Sequence, residues 1–335
     1  MTKSRHDLTA RKVLGLTLAM GILLGCVMAL SLGLGTADLS VLEILGRLAG
    51  QGTGEDSVGL ILFRIRLPRI LLAAVAGFSL SLGGVAFQAI LRNPLADPFI
   101  LGVSSGGAFG AVLGILLGFG FSVGVPVLAF GGSLLTLGLL MALGTRRMGM
   151  ESATVLLTGV IINAFFTAVI MFFITTTTDS RLHSMLFWLY GDLGQSRYSH
   201  LAVSGPLALA GCAVLYGFSR HLNLITAGEE TARQVGVEVR RTKIVCLITV
   251  SLLVGLVVSF SGLIGFVGLI VPHLARMAFG ADHRVLIPVA AIGGAAFLVA
   301  ADTLARVLIS PSELPVGVIT AFLGAPFFIY LLKTR

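Results

Sequence analysis

Ile70-Leu-Leu-Ala-Ala-Val-Ala-Gly-Phe-Ser-Leu-Ser-Leu-Gly-Gly-Val-Ala-Phe-Gln-Ala-Ile90 carries no charge from end to end. At 1.5 Å per residue this run reaches across the ~30 Å hydrocarbon core of a bilayer. It is followed by Arg92-Asn-Pro-Leu-Ala-Asp-Pro98, whose two prolines force the residues before them out of helical geometry. The apolar helix must therefore end there and the chain turn back. Runs of the same kind recur near 13–35, 99–119, 125–144, 154–175, 201–219, 244–260, 263–279, 285–301 and 316–332. Composition agrees: 56 % of the 335 residues are hydrophobic and 11 % charged, where a soluble domain carries ~25 % charge. The predicted fold class is an all-α polytopic membrane protein of ten transmembrane helices, forming one domain over 1–335. The boundary at Ser259 to Gly265 is the weakest, because the two runs it separates also read as one long broken helix.

Charge placement tests that count. With the N-terminal tail 1–12 in the cytoplasm, sixteen of the 23 Lys and Arg residues, including every lysine, fall inside, and seven fall outside. This obeys the positive-inside rule and puts both termini on the cytoplasmic side. The net charge of +8 is thus a membrane rim; it lacks the clustered solvated face that nucleic-acid binding requires. Cys26, Cys212 and Cys246 sit inside apolar runs with no C-x-x-C spacing, so neither a disulfide framework nor a metal site is expected.

No Asp or Glu lies centrally in any predicted span, which weakens an ion-coupled secondary transporter. The dipeptide Gly-Lys never occurs, so there is no Walker A loop. The chain is read as a non-enzyme that binds no cofactor; ATP, if used, belongs to another subunit. Gln88 and Asn163 are the most polar side chains well inside spans, and such amides more often join helices than bind ligands. His183 and His200 have nothing convergent around them and read as surface histidines rather than haem ligands. Gly77, Gly83 and Gly84, with Ser79 and Ser81, form a face of small residues that lets helix backbones approach closely.

The longest inside loop, 220–243, contains Thr226-Ala-Gly-Glu229 at capping-box spacing and Gly236 as a C-terminal stop. A short helix from Ala227 to Val235 is predicted, carrying Glu229, Glu230 and Arg233. It is either a plain connector or a docking lever for a cytoplasmic partner. On the other side Arg64, Arg66 and Arg69 precede the second span and Arg306 lies in another outside segment. They are either headgroup anchors or receptors for the carboxylates of a docking protein.

Several segments together carry a resemblance. They are Arg66-Leu-Pro-Arg69, Arg92 to Pro98 with Leu101-Gly-Val-Ser-Ser-Gly-Gly107, Gly228-Glu-Glu-Thr-Ala-Arg233, Gly265 to Arg276, Asp282-His-Arg284 and Glu313 to Pro326. In this order they resemble the bacterial iron-chelate and cobalamin permeases, the membrane subunits of large-substrate (type II) ABC importers. The resemblance implies a multi-pass permease of the inner membrane, working as a homodimer or close heterodimer. Its partners would be two cytoplasmic ATPase subunits using ATP and Mg, and a periplasmic or lipid-anchored substrate-binding protein. Arg66, Arg69 and Arg306 match arginines that accept acidic residues of the binding protein. Asn93 and Leu95 match one cytoplasmic gate element and Ser152 a second, although Ala153 lacks the hydroxyl of the cobalamin permeases. Glu229 to Gly236 matches the coupling helix that seats in the ATPase. The pathway of such permeases is lined by the fifth helix, where Asn163, Thr167 and Met171 form one stripe at i, i+4 and i+8. The implied cargo is a large metal chelate, an iron-siderophore or haem, with cobalamin as the alternative; Gly228 to Arg233 is closer to the siderophore branch.

Overall fold

A computed structural model describes residues 10–35, 43, 46–47, 56–144, 152–178 and 180–333, and no strand occurs among them. The helices are α1 (Ala10–Gly33), α2 (Ser57–Ile90), α3 (Val103–Leu116), α4 (Gly124–Gly144), α5 (Ser152–Thr176) and α6 (Arg181–Leu189). They continue with α7 (Tyr198–Gly217), α8 (Ser219–Ala227), α9 (Glu229–Gln234), α10 (Val239–Ser261), α11 (Val267–Phe279), α12 (His283–Val307) and α13 (Val316–Lys333). Seven of them, α1, α2, α4, α5, α7, α10 and α12, are long and apolar enough to cross a membrane. The other three apolar runs form the shorter helices α3, α11 and α13.

The two shortest have a physical reason. With 14 and 13 residues, α3 and α11 are only about 20 Å long. Each is preceded by irregular backbone: a 3₁₀ turn at Pro98–Leu101 before α3, and Gly262 to Phe266 before α11. Non-helical backbone at membrane depth is tolerated only where protein covers it, and Ile264 is fully buried. The ambiguous run at Ser259 to Gly265 thus resolves into two helices. Gly262 and Phe266 both take positive φ there, 67° and 68°, and the Phe266 ring lies where a side chain on Gly324 would stand.

The core is built around α2, which packs against α12, α10, α11 and α7. Its glycines meet backbone. A Cβ on Gly77 would stand 2.1 Å from the Gly294 carbonyl oxygen, and one on Gly84 would stand 1.9 Å from that of Gly268. In lipid, where apolar side chains gain nothing from leaving water, such close contact is what holds helices together. The Ser81 hydroxyl adds a bond to the Ala290 carbonyl at 2.7 Å. Gln88 is glue as expected, donating to the Gly268 carbonyl and accepting from Arg276.

Three helical segments have no counterpart in the expected spans: α6, α8 and the first turns of α2 ahead of Ile70. Both short helices are amphipathic; α8 buries Ser219, Leu222 and Ile225 on one stripe and shows Arg220 and Thr226 to the outside.

Candidate translocation path and docking surfaces

Asn163, Thr167 and Met171 stand exposed on one side of α5 and line one cavity of about 600 Å³. The facing walls are Ser104 and Ala108 of α3, Leu189 of α6 and the adjoining Tyr190. Asn163 therefore faces open space rather than joining helices. The Ser104 hydroxyl is buried and has no hydrogen-bond partner among the described residues. The wall offers apolar surface and uncharged hydrogen-bonding groups, and among the described residues no charged one lines it. Such a surface holds a large solute by shape and desolvation. His200, read as a surface histidine, is 3 % exposed and stacks on Phe260 at 4.5 Å, so it is spoken for.

The turn between α2 and α3 is rigid. Arg92 has φ 52°, Asn93 Oδ1 accepts the Leu95 N–H at 2.9 Å, and the Ala96 N–H bonds the Asn93 carbonyl. Asn93 is half-buried and Leu95 is 43 % exposed, so a large apolar side chain is held out at the helix end. Asp97 is buried and caps the following turn, accepting the Phe99 N–H at 2.8 Å. Burial pushes its carboxyl up to about 6, against the smaller opposing effect of that hydrogen bond. Ser152 opens α5.

The inner loop corrects one expectation. The Thr226 hydroxyl donates back into α8, to the carbonyls of Leu222 and Asn223, so the predicted capping box does not form. Gly228, with φ 152°, is the residue ahead of α9. The stop at Gly236 does form: its N–H bonds the Arg233 carbonyl and the Val237 N–H bonds the Ala232 carbonyl, the paired bonds of a Schellman end. Ala232 and Val237 then pack with Ile225 and Val239 in a small apolar cluster. Glu229 Oε1 receives the Lys243 ammonium at 2.6 Å, joining α9 to α10, whereas Glu230 is exposed and pairs, among the described residues, with Arg233 at 3.2 Å.

The arginines expected at the outer face are engaged within the chain. Arg66, Arg69 and Arg306, expected to await another protein's carboxylates, are 4 %, 6 % and 3 % exposed and already engaged. Arg69 pairs with Asp302 at 3.0 Å and with Glu313 at 2.5 Å. Arg306 bonds the other Asp302 oxygen at 3.2 Å, and its Nη atoms reach the carbonyls of Ser31 and Leu34. Arg66 donates to the Leu32 carbonyl at 2.7 Å. A guanidinium planar fork suits this work of tying the end of α1 to α2 and α12. The partner acid lies 233 positions from Arg69, just past the apolar run 285–301, and only the fold brings Asp302 to it. Among the described residues Arg64, Arg181 and Arg197 stand exposed on this side, and Arg64 and Arg197 both line a concavity of about 390 Å³ together with Pro68 and Ser196. Tyr198 joins the two segments, its hydroxyl donating to the Phe63 carbonyl.

A helical bundle that is apolar on its outside, with an uncharged cavity along one helix, defines a multi-pass membrane transport permease. The chain belongs to the FecCD transport family, whose model matches residues 22–334. It is 45 % identical to a cobalamin import system permease of Halobacterium salinarum, over 84 % of this chain and 75 % of that one. It is 41 % identical to a hemin transport system permease of Yersinia pestis, over 94 % and 95 %. The fold is similar to that of a solved metal-chelate type ABC transporter in an inward-facing conformation, with TM-score 0.83 and 32 % identity over 96 % of this chain and all of that one.

Proposed function

We propose that this chain is the permease of an ATP-driven importer that carries a large metal chelate, an iron-siderophore or haem, across the bacterial inner membrane. The observation that supports this most is the cavity beside α5, large, uncharged and shared by Asn163, Thr167 and Met171. A chelate presents a broad, mostly apolar and hydrogen-bonding exterior, and such a wall accommodates it without ligating the metal. Ten crossings with both termini cytoplasmic fit the charge count, with α3, α11 and α13 as the short crossings. A second copy of the chain would close the open side of the cavity. Two ATPase subunits, using ATP and Mg, would seat on Glu229, Glu230 and Arg233 in α9, with Thr226 and Gly236 at its ends. Asn93, Leu95 and Ser152 would form the cytoplasmic gates. A binding protein would meet Arg64 and Arg197 first, with Arg66, Arg69 and Arg306 beneath as the fixed base of that face.

Cobalamin is the second reading, favoured by the 45 % identity to a cobalamin permease. The test is reconstitution in liposomes with a candidate ATPase and binding protein from the same organism. Uptake of a ferric siderophore or haemin that needs ATP and is blocked by vanadate supports the proposal. Uptake of cyanocobalamin alone selects the second reading, and uptake abolished by an ionophore without any ATPase would establish ion coupling instead.

A further inference from the structure

A cavity of about 500 Å³ lies where the first turns of α1 meet the end of α7, the start of α8 and the start of α12. It is remote in sequence and in wall residues from the path beside α5. Val13, Leu14 and Pro288 form its apolar part; Tyr216, Arg220 and Arg284 form its polar part. Among the described residues no carboxylate lines it. Asp282, the nearest acid in sequence, is held by Nε and Nη2 of Arg284 and by the Asn223 amide, and these bonds keep it well below the usual carboxylate range. That leaves Nη1 of Arg284 without a bond to Asp282. Arg220 is exposed and has no ion-pair partner among the described residues. Arg11 and Lys12 stand exposed on the adjoining turn of α1.

The position matters as much as the charge. The beginning of α1, the end of α7 and the beginning of α12 share one end of the bundle, so the arginines mark a headgroup level. From there the exposed apolar side of α1, with Leu14 60 % and Leu18 59 % exposed, runs into the bilayer. An ordinary rim arginine snorkels alone; here two line, with a phenol, one pocket between helices whose remaining wall is mostly apolar.

We propose that this cavity is a binding site for an anionic phospholipid of the phosphatidylglycerol or cardiolipin type. Its phosphate lies between Arg220 and Arg284, the Tyr216 hydroxyl donates to a headgroup oxygen, and an acyl chain follows Val13, Leu14 and Leu18. Basic pockets between helices at the membrane surface recognise such headgroups, with ~1 kcal/mol from each cation. The lipid would add contacts at the start of α1, whose Val13, Leu16 and Met20 already pack half-buried against the core.

Thermal unfolding of the detergent-purified chain, titrated with phosphatidylglycerol, phosphatidylcholine or inorganic phosphate, tests this. Phosphatidylglycerol is expected to raise the midpoint by about 3 °C or more, and native mass spectrometry to find it retained; the other two do neither. Arg220→Gln, at an exposed and unpaired position, keeps the fold and lowers retention about fivefold. An equal shift with phosphatidylcholine would show that only the apolar groove matters and overturn the site. An equal shift with inorganic phosphate overturns the lipid as occupant, and unchanged retention by Arg220→Gln overturns the arginine pair.

Discussion

Asp302 Oδ1 accepts the Nε–H of Arg69 at 3.0 Å, so one carboxylate in α12 holds a guanidinium in α2 while its other oxygen holds Arg306 at 3.2 Å. The three groups are buried together. Removing the shared acid leaves two guanidiniums out of water with Glu313 as the remaining counter-charge, and breaking a buried pair this way costs about 3–5 kcal/mol. Asp302→Ala is expected to lower the thermal unfolding midpoint sharply or prevent accumulation in the membrane. A variant as stable as wild type would show that the cluster contributes no net stability.

The same burial dictates how docking must be probed. Reversing Arg69 to Glu puts an acid beside Asp302 and Glu313, and reversing Arg66 to Glu puts one against the Leu32 carbonyl it now donates to; both are expected to fail at folding, whatever the binding protein does. Arg64→Glu with Arg197→Glu changes two exposed residues and should leave the unfolding midpoint within about 1 °C. Affinity for the binding protein is then expected to fall at least about tenfold at low ionic strength, and less at high salt. Interferometry with immobilised binding protein measures both; an unchanged affinity at low salt removes these two arginines from the interface.

On the other side, the clamp between Glu229 and Lys243 and the free face of Glu230 separate stiffness from contact. Glu230→Arg changes only an exposed side chain, and its expected result is a folded permease that binds its ATPase weakly. Lys243→Gln removes the ion pair that stiffens the junction of α9 with α10, so the ATPase still binds but ATP hydrolysis proceeds with little uptake. Uptake per ATP hydrolysed, measured in proteoliposomes, distinguishes them; normal coupling in both variants would show that α9 is a plain connector.

The helices were legible in the sequence because each apolar run is bounded by proline, glycine or charge, and the stripe on α5 because helical spacing alone puts Asn163, Thr167 and Met171 on one side. What the sequence could not show is which polar residues meet. Arg69 and Asp302 are 233 positions apart, and their pairing depends on the crossing of α2 with α12. Thr226 misled for a local reason: the hydroxyl that would cap α9 is equally able to bond back to the preceding turn, and α8 provides that turn.

The crossing of α2 with α11 gives a prediction with its own control. Gly84→Ala drives a methyl to within 1.9 Å of the Gly268 carbonyl oxygen, and backbone on both sides must move. Gly131→Ala, in α4, meets nothing within 4 Å. The first is expected to abolish or severely reduce folded protein and the second to leave it unchanged or slightly better, since Ala is preferred over Gly in a helix by about 1 kcal/mol. Size-exclusion profiles of the detergent-extracted variants read this out, and a monodisperse Gly84→Ala peak at wild-type yield would refute the close approach of α2 and α11.

Asp97 supplies a pH dependence whose sign follows from its burial. The folded chain holds this carboxyl at about 6, above the ordinary value of 3.8, so folding favours the protonated form. Its contribution to stability is complete below about pH 4 and disappears as pH rises through about 6; a difference of that size amounts to about 3 kcal/mol at most. The unfolding midpoint of the wild type is therefore expected to fall between pH 4 and 7 by more than that of Asp97→Asn. The amide oxygen of the variant still accepts the Phe99 N–H, so the cap survives while the titration does not. Parallel midpoint-against-pH curves for the two proteins would show that the carboxyl ionises as freely in the folded turn as in the unfolded chain, and that the turn between α2 and α3 is open to water.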